Sequence, residues 1–406
     1  MALPLEGIRV VDWTQYQQGT VAAMMLADLG AEVIHIEDKT LGGDAGRGMV
    51  AVLSTMVGDV KGRNAYFEFN NRGKKSFGVY LKTEKGRELI YQILQKSDVF
   101  IHNHRLDYPK RMGLDYETLK KINPKLIYIN SSGWGSQGPE ALEGSFDYIG
   151  QAKAGFMFAG VEEGCPPMQN YGGGPADQIG AIMSAYAAMV ALFARERLGI
   201  GQEIHASLLG GMLWLQGLAL GMTCLWGHSL PRIPRTRAGN PLWNHYHCKD
   251  NKWITLAHLQ PDRFWPGICK ALGVEHLQND SRFADVMTRA KNSAELIKIF
   301  DDIFATRIRD EWMKIIRENG GICGTVNILE DLLDDPQVLA NEYIVDFEHP
   351  VWGKVKWPGM PVQFSQTPGD PKKWAPEFGE HTEMILVDLL GYSWDEIVKL
   401  KDEQVI

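Results

Sequence analysis

The residues best suited to chemistry gather in YGGGPADQIGAIMSAYAAMVALF, residues 171–193. Three glycines, Gly172 to Gly174, precede Pro175, and proline suits the first turn of a helix. Asp177 is therefore expected in that first turn. The Ala/Met/Leu stretch behind it would bury the helix body. Unpaired N–H groups and the helix dipole favour the charged form of a carboxylate there. The glycines would let a ligand approach the backbone closely. Such a carboxylate can act as a nucleophile toward an activated acyl group. The same position also suits a helix N-cap, which is the commoner role for an aspartate when only the local sequence is considered. The glycine run is not G-x-G-x-x-G and no strand clearly feeds it, which disfavours a dinucleotide site.

Other groups offer weaker chemistry. SSGWGSQGP (131–139) follows a strand-like run and could line a ligand or simply turn the chain. Arg105, Lys110 and Arg111 fall just after a strand end, where α/β sheets bind ligands. Lys74 and Lys75 precede another strand. These cations could hold phosphates, although each taken singly is more often a solvated surface charge. His245 and His247 alternate along a strand-like run and share a face, but without a third ligand they do not make a metal site, and none is assigned. Trp13, Tyr16, Trp134, Trp214, Trp226 and Trp243 are more often core residues, though some could shape an apolar pocket for an acyl group.

These residues need a scaffold. Residues 8–13, 32–37, 76–81, 99–102 and 125–130 are short strand-like runs. Residues 19–30 read as a helix ended by a glycine. Residues 83–96 carry Leu89, Ile90, Ile93 and Leu94 on one helical face. Alternating strands and helices imply βαβ crossovers and a parallel, doubly wound layer. Residues 180–220 read as long buried helices. A loop rich in Pro, Arg and Gly (230–242) leads to strand-like residues 245–256 and helices near 293–304 and 309–318. A smaller second domain is expected at 223–330, with 1–222 and 331–406 forming the larger one. The end, 382–400, reads as an amphipathic helical pair around Gly391.

Composition bounds the rest. With 406 residues the chain is long enough for two cores. It is 45% apolar and 23% charged, an ordinary globular balance. A formal net charge of −8 argues against a nucleic-acid binder. Five scattered cysteines suggest neither a disulfide framework nor a zinc site. No apolar run approaches the roughly 20 residues of a membrane span. MALPLEGIRVVDWTQ lacks the pattern of a secretory signal, so a cytoplasmic location is expected.

Several blocks, in order, resemble the family III CoA-transferases, to which formyl-CoA and carnitine CoA-transferases belong. They are LEGIRVVDWTQYQQG…LADLGAEVIHIE, NNRGKKSFGVYLKTEKGRELI, DVFIHNHR…KRMGLDYETLKKINPKLIYINSSGWGSQGP, PADQIGAIMSAYAAMVAL, RAGNPLWNHYHCKDNKWI, GGICGTVNILEDLLDDPQV and GEHTEMILVDLLGYSWDEI. The resemblance implies a Rossmann-like large domain built from both chain ends, a smaller inserted α+β domain, and an interlocked dimer, either of one chain or with a related chain. It implies Asp177 as the nucleophile, passing through aspartyl anhydrides and an aspartyl-CoA thioester. The coenzyme A thioester is a substrate, with no tightly bound cofactor. Gln17, Lys75, Asn103, Arg105 and Arg111 fall on or near positions that contact the CoA ester in relatives. Asp38 stands where formyl-CoA transferase has an arginine, and Ser132 near a lysine of that enzyme, so these nucleotide contacts differ.

Two alternatives accompany this reading. One is an acyl-CoA racemase of the same fold. Racemases need a base on each face of the α-carbon, and Phe146 occupies the histidine position of their G-H-D segment. The other is a non-catalytic partner chain in a heteromeric transferase. The expected substrates are a donor such as succinyl-CoA and a bulky, branched or aromatic acid such as benzylsuccinate, by likeness to benzylsuccinate CoA-transferases.

Overall fold

Runs of β-branched residues become the centre of one parallel sheet. The computed structural model describes residues 2–49, 63–169 and 173–406, together with the backbone of 51–52, 55–56 and 59–60. Tyr171 and Gly172 of the glycine run lie outside the described residues. Six strands, β1 (Arg9–Trp13), β2 (Glu32–Asp38), β3 (Lys75–Val79), β4 (Val99–His102), β5 (Ile127–Ser132) and β6 (Gln202–Ser207), lie in the order β6-β5-β4-β1-β2-β3. Every pair is parallel. The order reverses between β1 and β4, as in doubly wound sheets.

Both faces of the sheet are covered, so its central strands are buried along nearly their whole length rather than alternately. Val10, Val33, Val99, Ile101, Ile127 and Ile129 face one core, with α1 (Gln18–Asp28). Val11, Ile34, Phe77, Phe100 and Tyr128 face the other, with α2 (Glu84–Gln95). In α2 the expected stripe of Leu89, Ile90, Ile93 and Leu94 is buried. Each such side chain contributes roughly 1.5–3 kcal/mol of burial. Thr83 caps this helix on the Gly86 N–H at 3.0 Å.

α3 (Asp147–Lys153) and the long α4 (Pro175–Leu198) complete the site's frame. α4 lies on α1 through Ala181, Ala185, Ala188 and Ala191. These small residues recur every three or four positions and let the two backbones approach. By length and composition α4 is the one described helix able to cross a membrane, and 44% of its most apolar window is buried within the fold.

The sequence predicts long buried helices throughout 180–220. In the structure α4 ends at Gly199, in the left-handed conformation, and the chain re-enters the sheet as β6 before α5 (Leu208–Leu215). β6 is a sheet edge with exposed Glu203 and His205. Its polar composition hides a strand that is specified only by pairing with β5.

The second chain end covers β3. Thr382 Oγ1 accepts the Gly78 N–H at 2.9 Å, and the Tyr80 N–H donates to the Val405 carbonyl at 2.7 Å. The closing helices turn at Gly391, φ +79°. Residues 158–167 and 230–339 make a separate compact unit, and the remaining residues make the first. This second unit pairs antiparallel strands Trp243–His247, Trp253–Ala257 and Cys323–Val326. Its core holds Tyr246, Phe283, Phe300 and Phe304.

Candidate active site

The crevice beyond the carboxyl ends of β1, β4 and β5 is where a doubly wound sheet offers loops rather than paired strands. It encloses about 250 Å³, and its walls include Gln17, Asn103, Arg105, Ser132, Phe146 and Asp177.

Asp177 sits in the first turn of α4, and its carboxylate has no hydrogen-bond partner among the described residues. The N-cap is Gly174, which has no side chain to cap with. Asp147, opening α3, does the capping. Its Oδ1 accepts the N–H groups of Ala176 at 2.7 Å and Asp177 at 3.1 Å. The helix-cap reading of Asp177 is therefore corrected, because the cap is Asp147, supplied from 30 residues earlier. The expectation that the helix terminus holds Asp177 charged is corrected too. The N–H groups that would do so are turned to Asp147, and burial, followed by the Asp147 charge, raises the Asp177 carboxyl to about 7. Tyr66 lies close enough that its hydroxyl is pushed upward by burial and then by the Asp177 charge.

Gly174 has φ +63°, and a Cβ there would stand 2.6 Å from Gln17 Nε2. Glycine is thus required for conformation and for space. The Gln17 carboxamide reaches the Gly173 carbonyl at 3.5 Å, placing it beside the first turn of α4.

The loop after β1 is held tightly. Asn103, just beyond β4, accepts the Gln15 N–H at 2.9 Å and donates to the Gln15 carbonyl at 2.7 Å. Tyr16 has φ +64°, a left-handed backbone rare for an aromatic residue. Its N–H donates to Asp44 at 3.1 Å, and its carbonyl accepts from Thr20 at 2.6 Å and Asn70 at 3.3 Å. Its ring meets Phe146 edge-on at 5.8 Å.

The structure brings Gln17, Asn103 and Arg105 to the crevice with Asp177. Asn103 works on the Gln15 backbone. Arg105 is exposed, against Gly144. Arg111 lines an adjoining hollow with Arg105 and Tyr108, and pairs with Asp107 at 3.3 Å. Lys75 is not brought there. It starts β3 at the opposite edge of the sheet, paired with Glu32 at 2.6 Å. Lys74 is no phosphate ligand, since it is buried and bound to Asp12 at 2.7 Å. Asp38 caps the next turn through the Thr40 N–H, and Ser132 accepts the Gly135 N–H. In the second unit His245 and His247 both pack against Trp253. Among the described residues no three His, Cys, Asp or Glu side chains form a metal-binding cluster. Trp13 is buried against Phe100 and Tyr108, whereas Trp214, Trp226 and Trp243 are exposed. Sequence reading missed Asp147 as a capping group. Its place after Phe146 was visible, but its distance along the chain hid the partner.

Comparison with known proteins agrees with this architecture. Residues 5–382 match the family model described as CoA-transferase family III. The chain is 29% identical to an (R)-2-hydroxy-4-methylpentanoate CoA-transferase of Clostridioides difficile, over 99% of both chains. It is 30% identical to a succinyl-CoA:glutarate CoA-transferase of Mus musculus, covering 99% of this chain and 90% of that protein. A crystal structure of a CAIB/BAIF family protein from Brucella suis superposes with a TM-score of 0.84 at 30% identity, over 96% of this chain and all of the other.

Proposed function

The chain belongs to CoA-transferase family III, and from that premise we propose that it moves CoA from a CoA thioester to a free carboxylic acid through Asp177. The observation that carries this reading is an Asp177 carboxylate at the crevice without a hydrogen-bond partner among the described residues, while Asp147 takes the helix N–H groups. A carboxylate raised to about 7 by burial and by Asp147 is a more basic, more nucleophilic oxygen than an ordinary surface aspartate, and it ionises as pH rises through neutrality.

Asp177 attacks the donor acyl carbon. The C–S bond breaks, CoA leaves as thiolate, and a mixed anhydride remains. The thiolate then attacks the aspartyl carbonyl, which releases the donor acid and leaves an aspartyl-CoA thioester. The acceptor carboxylate attacks that thioester and expels the thiolate again. Finally the thiolate attacks the acceptor carbonyl of the second anhydride, and Asp177 returns as a free carboxylate. No net proton is moved, so no general base is required. The Gln17 carboxamide and the N–H groups of Gly173 and Gly174 supply hydrogen bonds to the developing oxyanions. Arg105 and Arg111 attract CoA phosphates.

The donor is succinyl-CoA, in line with the mouse relative. The acceptor is a branched or aromatic acid, with benzylsuccinate the first to assay. Tyr16 and Phe146 offer an apolar wall for it, and the Clostridioides relative is named for a branched acid. Phe146 carries no titratable group, which disfavours a second base and hence the racemase reading. The chain works in the cytoplasm as an interlocked dimer with a second copy. The exposed apolar stripe Ile182, Tyr186, Val190 and Phe193 on α4 gives a copy something to cover. A pairing with a related chain would be revealed by a purified protein that is inactive until a paralogue is added.

Trapping decides the nucleophile. Incubation with succinyl-CoA followed by hydroxylamine or borohydride should modify Asp177, located by mass spectrometry, and Asp177→Asn should abolish CoA exchange. Full activity in the purified variant would sink the assignment. Solvent exchange of the α-proton without CoA exchange would favour the racemase.

A further inference from the structure

Directly behind the loop that carries Gln17 lies a buried charge chain that the mechanism does not use. Asp12 on β1 and His35 on β2 are register partners. Asp12, His35, Asp44 and Lys74 are each at most 4% exposed. Asp12 Oδ2 accepts from Lys74 Nζ at 2.7 Å and faces His35 Nδ1 at 2.9 Å. Its Oδ1 accepts the Thr14 hydroxyl at 2.5 Å and the Thr14 N–H at 3.1 Å. The other ring nitrogen, His35 Nε2, lies 3.6 Å from Asp44 Oδ2, an ion-pair separation longer than a hydrogen bond, and neither atom has a hydrogen-bond partner among the described residues. Asp44 Oδ1 accepts the N–H groups of Tyr16 at 3.1 Å and Gly46 at 2.7 Å. The chain thus runs Lys74–Asp12–His35–Asp44 and ends on the N–H of Tyr16, the strained residue immediately before Gln17.

We propose that His35 is a positioning residue of the transferase: as an imidazolium bridging Asp12 and Asp44, it holds Asp44 on the Tyr16 N–H and so sets the left-handed backbone that aims Gln17 at the first turn of α4. A carboxylate can only accept. A ring that faces carboxylate oxygens at both nitrogens therefore attracts both only when both nitrogens carry hydrogen. The charges also balance in that state, with two carboxylates against one ammonium and one imidazolium. A neutral ring would leave a buried negative charge uncompensated, which is costly. Left-handed backbone at a non-glycine residue costs free energy and persists only where surrounding bonds over-determine it. The bonds from Asp44, Thr20 and Asn70 do so here.

The titratable groups around the bridge are Asp12 from β1, Asp44 from the turn after β2, Glu37 further along β2, Lys74 ahead of β3, and His104 beyond β4, which interacts with Asp44 and Asp12 but is lowered to about 4 by burial and so is neutral. Glu37 is engaged by Arg47 and Ser76 and accepts the Asp44 N–H at 2.8 Å. Burial pulls the His35 ring down and Lys74 opposes its charge, but Asp12 and then Asp44 outweigh both, leaving it raised to about 9. The bridge is therefore complete at neutral pH and is lost as pH rises through about 9.

The inference rests on the transferase reading of Asp177 and Gln17, and two measurements separate their failures. The first is histidine ring 15N NMR of the intact wild-type protein at pH 8, which needs no activity. One ring is expected doubly protonated, titrating near 9 and absent in His35→Gln. Only neutral rings at pH 8 would overturn the proposal, whether or not the variant folds. The second is CoA exchange by folded His35→Gln, with kcat expected to fall on the order of 100-fold while KM for the CoA ester stays within about 3-fold. A folded variant with wild-type kcat would refute the positioning role. A wild-type protein without CoA exchange but with the expected NMR signal would sink the transferase reading and leave the imidazolium bridge standing.

Discussion

At the scale of single residues, the site is a division of labour between two aspartates. Asp147 accepts two N–H groups of the α4 terminus, and Asp177, without a hydrogen-bond partner among the described residues, is electrostatically burdened by its neighbour. This has a testable consequence in pH. Asp177 must be ionised to attack, so kcat/KM should fall as pH drops through about 7. Asp147→Asn keeps an oxygen for the Ala176 and Asp177 N–H groups but removes the charge that raises Asp177. The acid limb of a kcat/KM–pH profile should then move to lower pH. A limb that stays in place would mean that the Asp147 charge does not act on the nucleophile.

At the scale of elements, the loop after β1 and the first turn of α4 are built against each other. Gly174 and Gln17 meet so closely that no Cβ fits between them. Gly174→Ala should therefore cost roughly 1–2 kcal/mol of stability for the left-handed conformation. It should also lower kcat by about 10- to 100-fold by displacing the carboxamide. Thermal melts and steady-state CoA exchange measure the two separately. A melt lowered with kcat unchanged would mean that Gln17's placement does not matter to the chemistry. Asn103 belongs to this scale as well. It lines the crevice, where the resemblance implies a ligand contact, and its amide also holds Gln15 on both sides, splicing the loops after β1 and β4.

For the whole molecule, the exposed stripe on α4 is the relevant surface. Ile182, Tyr186, Val190 and Phe193 recur at helical spacing and are between 43% and 64% exposed. A second copy of the chain is proposed to cover them. Wild-type protein should sediment at twice the chain mass, and Phe193→Glu should shift it toward the monomer. A monomeric wild type at micromolar concentration would rule the dimer out. Parallel β pairing between distant segments also makes the first unit a fold of long-range contacts, and such contacts are formed slowly.

Much of this was legible in the chain itself. Local periodicity determined the strands 8–13, 32–37 and 99–102 and the Leu89–Leu94 stripe, because side-chain spacing alone decides which face a strand or helix buries. Ordered motifs determined the family, and Pro175 placed Asp177 in a first helical turn. Only the tertiary structure decided what that turn's N–H groups bind, since Asp147 reaches them from another element. Only it separated Lys74, buried on Asp12, from Lys75, half-buried on Glu32, because adjacent residues at a strand entry take different environments. And only it revealed β6, whose polar edge sequence carries no signal until β5 supplies the missing hydrogen bonds. Local pattern records which groups want burial, while the identity of their partners is a property of the closed fold.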